Sequence, residues 1–68
     1  MATINLEFIR DARQKQNLSL QKMAESLGFK NASTYLKYEK GEYSLKANHL
    51  PAIAVLLDCH INDLFLQK

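Results

Sequence analysis

The chain has 68 residues, 47% of them hydrophobic, and nine Lys and Arg against seven Asp and Glu give a formal net charge of +2. That length reads as one domain, residues 1–68, which buries only roughly 60% of its unfolded surface and is therefore of modest stability. The single cysteine, Cys59, excludes an internal disulfide and suits a reducing cytoplasm; no basic-then-apolar leader opens the chain, and the longest apolar run, 50–57, is too short to span a bilayer.

Helix formers are plentiful, and Gly (2) and Pro (1) are scarce, which points to an all-α fold. In chain order, Thr3 or Asn5 caps a first helix, with Ile4 and Ile9 as a hydrophobic staple. Leu6, Ile9, Ala12, Arg13 and Gln16 share one face of it, and Asn17 ends it. Ser19 caps a second helix over 20–27, stapled by Leu18 and Met23. Ala24 is small where two crossing helices must come close. Gly28 follows Leu27 at the place where a left-handed C-terminal turn suits glycine. A third helix covers 32–40, capped by Asn31 or Ser33 and ended by Gly41. Residues 42–46 form a loop. A fourth helix starts between Ala47 and Leu50 with Pro51 in its first turn, and buries Leu50, Ile53, Ala54 and Leu57. After the connection 58–60, a fifth helix covers 61–66. The expected fold is a compact five-helix bundle in which helices 2 and 3, joined by a glycine turn, can present the start of helix 3 to a DNA major groove.

Charge placement fits that geometry. No acid lies between Lys30 and Tyr38, where Lys30 and Lys37 fall, and Lys40 and Lys46 follow, diluted by Glu39 and Glu42. On charge alone this is a solvated helix face; beside the helix-turn-helix pattern it is a phosphate-facing stripe.

The ordered set Arg13, Leu18-Ser19, Met23-Ala24, Leu27-Gly28, Tyr38-Glu39-Lys40-Gly41, Leu50, Ile53-Ala54 and Asp63-Leu64-Phe65 resembles the Cro/phage-repressor, or xenobiotic-response-element, family of helix-turn-helix proteins. The match runs from about Ile9 to Phe65. The resemblance implies the lambda-repressor-like DNA-binding fold and a sequence-specific transcriptional regulator. It places the amino end of helix 3 at base edges, with Ala32 offering a methyl surface to thymine, Ser33 a donor or acceptor, and Lys37 a reach to guanine or phosphate. Phosphate contacts then fall to Gln21, Lys30, Asn31, Thr34, Lys40, Tyr43 and Lys46, with Thr34 alternatively supporting the helix's first turn. In the family the residues matching Arg13 and Glu39 pair between helices 1 and 3, a structural ion pair suited to a guanidinium fork. The implied partner is double-stranded DNA with a pseudo-palindromic operator, bound by a homodimer that is weak when free. Its interface draws on the tail Ile61, Leu64, Phe65 and Leu66 and the turn at Asp58 and His60, with Phe65 assigned to the core.

Three departures from the family bear on the register. The turn after Gly28 is one residue longer, as Phe29-Lys30-Asn31 precedes helix 3. Leu20 stands where a phosphate-binding glutamine is usual, so that contact is lost, moves to Gln21, or passes to the helix N-terminal N–H groups. Tyr35 and Tyr38 replace aliphatics; at i and i+3 they share a face, and both rings are expected in the core with hydroxyls near the rim.

His49, Cys59 and His60 match no zinc spacing, and every Ser, His and Asp has a cap, turn or surface role, so no metal, cofactor or catalytic site is expected. Cys59 reads as a small buried apolar residue. The competing reading is a protein-interaction module, such as an antitoxin or anti-repressor partner, that keeps the fold without strong DNA binding. RNA binding lacks an exposed aromatic platform for unpaired bases.

Overall fold

Local cap chemistry starts three of the four α-helices in the computed structural model, which describes residues 3–66. Asn5 starts α1 (Leu6–Lys15), its Oδ1 accepting from the Phe8 N–H at 3.0 Å. Ser19 starts α2 (Leu20–Leu27), its Oγ accepting from the Lys22 N–H at 3.0 Å. Asn31 starts α3 (Ala32–Glu39) in the same way through the Thr34 N–H at 2.9 Å. Each cap satisfies one of the orphan N–H groups at a helix start. Gly28 and Gly41 take φ of +82° and +88°, the left-handed turns that release the chain from α2 and α3. At Gly41 a side chain is doubly opposed, because a Cβ there would lie 3.2 Å from Leu6 Cδ1.

A short 3-10 turn, Ala47–His49, feeds α4 (Leu50–Leu56), with Pro51 in the first turn. The apolar faces of these elements close on one core: Ile9 of α1, Met23 and Ala24 of α2, Tyr35 of α3, and Leu50, Ile53, Ala54 and Leu57 around α4. α2 and α3 make the most extensive pairing, and α4 packs under α2. The staple residues Leu18 and Ile4 are half-buried against that core.

The expected fifth helix is not formed. Residues Ile61–Leu64 make a 3-10 turn, fastened by the Asp63 carboxylate accepting from the His60 N–H at 3.1 Å. Four residues give too few hydrogen bonds to nucleate an α-helix. The following Phe65 is extended instead and forms an isolated antiparallel bridge with Ile4. The Asn5 N–H donates to Leu64 O and the Leu66 N–H to Thr3 O, both at 2.7 Å. The tail therefore closes the molecule by pairing with the segment before α1. The fold is all-helical, with four α-helices and no multi-residue strand among the described residues.

Candidate nucleic-acid interface

α3 carries two faces of opposite character. Tyr35 and Glu39, one turn apart, are buried, while Ser33, Lys37 and Lys40 form an exposed stripe at i, i+4 and i+7 with no acid among them. Ala32 and Thr34 flank that stripe half-buried.

The buried face is fixed by a bidentate ion pair. Arg13 Nε donates to Glu39 Oε2 at 3.0 Å and Arg13 Nη2 to Glu39 Oε1 at 3.1 Å, while Nη1 reaches Leu18 O at 3.1 Å. The side chains are 12% and 3% exposed, so three strong hydrogen bonds tie α1, the start of α2 and the end of α3 away from water. Tyr35 beside this pair departs from the expected rim placement. The residue is 1% exposed, and its hydroxyl is buried with no hydrogen bond of acceptable geometry within the protein. Burial first, and then the Glu39 carboxylate close by, push this phenol above its ordinary value, with Arg13 opposing. Tyr38 does lie near the rim, half-buried.

At the exposed end, Asn31 Oδ1 organises the first turn of α3. It accepts from the Thr34 N–H, from Thr34 Oγ1 at 2.9 Å and from Ser33 Oγ at 2.8 Å. Three donors on one carbonyl oxygen exceed its two lone pairs, so one hydroxyl proton is readily released to an outside acceptor.

Lys37 is held further along. Its ammonium lies 5.5 Å from the centre of the Tyr43 ring, a cation–π contact. Its carbonyl accepts from the Glu42 and Tyr43 N–H groups at 2.9 and 3.3 Å, which folds the loop back on the helix. Tyr43 in turn abuts the Tyr38 ring edge-on at 5.4 Å, and Tyr38 stacks on Phe29 at 4.7 Å with rings 6° from parallel. His49 packs edge-on against Phe29 and Tyr38, and its Nδ1 accepts from the Lys46 N–H at 3.2 Å. An aromatic row therefore links the turn before α3, α3 itself, the loop after it and the entry to α4. The sequence offered each ring singly; the row joins loop residues to helix residues and has no periodic signature.

Lys30, Lys40 and Lys46 are exposed, as is Lys22 on α2, which charge placement after residue 30 had left out. Gln21 is exposed but turned along its own helix, donating to Glu25 Oε2 at 3.0 Å. Leu20 packs half-buried against the core.

Away from this face, Asp58, His60 and Leu66 are exposed, and Ile61 is 41% exposed. Leu64 is fully buried and offers nothing to a partner. Val55, on the side of α4 opposite the buried Ile53 and Leu57, is 80% exposed; its place off the buried spacing was the signal for it. Cys59 is half-buried, and burial, followed by Asp63 and Asp58, raises its thiol above the ordinary value. Among the described residues no group of three His, Cys, Asp or Glu is placed to hold a metal ion, and no helix is long and apolar enough to cross a membrane.

A helix-turn-helix family model matches residues 9–64, from inside α1 to the last 3-10 turn. The chain belongs to the Cro/C1-type helix-turn-helix family. This is a family of DNA-binding regulators, and the all-helical fold is consistent with it. A search of curated proteins finds no match.

Proposed function

We propose that this Cro/C1-type protein is a sequence-specific transcriptional regulator that works in the cytoplasm as one domain and reads the DNA major groove with α3. The observation that carries the reading is the acid-free exposed stripe on α3 within a helix-turn-helix. Ser33 and Lys37, with the Ala32 methyl beside them, address base edges. Lys30, Asn31, Thr34, Lys40, Tyr43 and Lys46 address phosphates around them, with Gln21 joining on release from Glu25. One recognition helix reads too few base pairs to choose a site in a genome, so two copies bind a pseudo-palindromic operator, their helices about 34 Å apart. Asp58, His60 and Leu66 form the contact between copies, and the exposed Val55 and Ile61 extend it. So small an apolar patch favours a dimer that is weak until DNA joins it.

Selection of bound sequences from random DNA tests this directly. A two-fold symmetric site should emerge, occupied by two chains. Its affinity should fall by roughly 10³–10⁵ between 50 and 200 mM salt for 6–10 phosphate contacts. One chain per full site at saturation refutes the dimer. Weak, unselective binding with little response to salt refutes the regulator and favours the interaction-module reading, which the Gln21–Glu25 hydrogen bond and the apolar Leu20 support.

A further inference from the structure

We propose that Tyr43 is a positioning residue for sequence reading: the face of its ring holds the Lys37 ammonium in place at the base edges. The inference rests on the proposed reading by Lys37 and assigns to Tyr43 a second role, separate from any phosphate contact of its hydroxyl.

A lysine on a helix surface ordinarily samples many rotamers, and it loses that freedom when it binds. Lys37 is less free than that. Its ammonium sits 5.5 Å from the Tyr43 ring centre, and the ring is braced on two sides. Behind it stands Tyr38, itself stacked on Phe29 and edged by His49. Along the backbone, the Glu42 and Tyr43 N–H groups both donate to the Lys37 carbonyl, so ring and lysine are tethered to the same peptide group. The ring is 47% exposed, which leaves the contact open on its outer side. A π-face attracts the cation without consuming a particular N–H, so the ammonium keeps donors for guanine O6 and N7 while it rests on the ring. The ring therefore lowers the entropy cost of the contact before DNA arrives.

The hydroxyl and the ring face have different signatures. A hydroxyl on phosphate strengthens binding to every sequence, whereas a ring that positions Lys37 strengthens binding only where Lys37 meets the right base. The deciding quantity is the ratio of affinity for the selected operator to affinity for random duplex. Tyr43→Phe should weaken both affinities alike and leave the ratio unchanged. Tyr43→Leu, which keeps an apolar contact for Tyr38, should lower the ratio by roughly two- to fivefold per half-site. In a Lys37→Met background, Phe and Leu at position 43 should give the same ratio. In the free protein, the Lys37 ε-methylene proton resonance should be shifted upfield by the ring in the wild type and in Tyr43→Phe, and return to its ordinary position in Tyr43→Leu. The proposal is overturned if Tyr43→Leu keeps the wild-type ratio while Lys37→Met lowers it, or if the ring shift is absent. If Lys37→Met itself leaves the ratio unchanged, base reading by Lys37 is what fails, and the positioning role falls with it.

Discussion

The two faces of α3 obey different physics. On the inner face, Glu39 is locked by two hydrogen bonds to Arg13, and the neighbouring Tyr35 is sealed from water. On the outer face, Ser33, Lys37 and Lys40 are exposed, and Lys37 is steadied only by a ring at the surface. Breaking the ion pair on the inner face costs folding, because a charge stripped of its partner in a site shielded from water has little water to turn to. The outer face can change almost freely as far as folding is concerned. An eight-residue helix thus separates the residues that hold it in place from those left open to solvent.

Substitutions on each face put that separation to the test, and the largest effect belongs inside. Glu39→Ala leaves Arg13, whose side chain is only 12% exposed in the intact protein, with Leu18 O as its remaining partner. Loss of a buried partner costs about 3–5 kcal/mol, a large share of what a domain of this size has to lose. Urea denaturation should show most of that loss. An unchanged midpoint would mean that the ion pair contributes nothing and that the inner face is as tolerant as the outer. Lys37→Ala is the counterpart. It should leave the urea midpoint within about 0.5 kcal/mol, since surface substitutions rarely do more. Binding to a selected operator should weaken by about 1–3 kcal/mol, and binding to random duplex by less. Equal losses on both DNAs would make Lys37 a phosphate contact.

The inner face was also the more legible of the two. Caps and turns are decided by residues three or four positions apart, so the sequence alone places Ser19, Gly28 and Gly41 and narrows the other two caps to Thr3 or Asn5 and Asn31 or Ser33, of which Asn5 and Asn31 serve. The family resemblance alone pairs Arg13 with Glu39 across two helices. What escaped depended on distant partners. Ile61–Leu66 has helical spacing, yet its fate was settled by Ile4, at the other end of the chain, whose bridge draws Phe65 into extended backbone. The Tyr43 ring reaches Lys37 only because the loop folds back onto the Lys37 carbonyl, and nothing in residues 42–46 announces that fold. On the outer face, the basic charges and the short side chains of α3 were readable as a pattern. The commitment of both the Ser33 and Thr34 hydroxyls to Asn31 was not, because it depends on rotamers in the first turn.

The smallest effect concerns a polar group on the inner face that is out of keeping with it, the Tyr35 hydroxyl. It is buried without a hydrogen bond, while both oxygens of the adjacent Glu39 are held by Arg13. Removing an unpaired buried hydroxyl relieves a desolvation cost and leaves a ring of nearly the same shape. Tyr35→Phe should therefore be neutral or stabilising by up to about 1 kcal/mol at pH 7. A loss of that size would instead reveal a working hydrogen bond from the hydroxyl to Glu39. Alkaline pH separates the two proteins further. In the unfolded chain the phenol releases its proton near its ordinary value of 10.0, whereas burial and Glu39 make the folded chain retain it to higher pH. Above pH 10 the unfolded state thus binds fewer protons than the folded one, and stability falls as pH rises, by at most about 1.4 kcal/mol per pH unit. Tyr35→Phe lacks this titration, so its advantage over the wild type should widen above pH 10 and stay constant below it. Parallel stability curves through that range would mean that the hydroxyl titrates alike in the folded and unfolded chains, and that the inner face is wetter than its packing indicates.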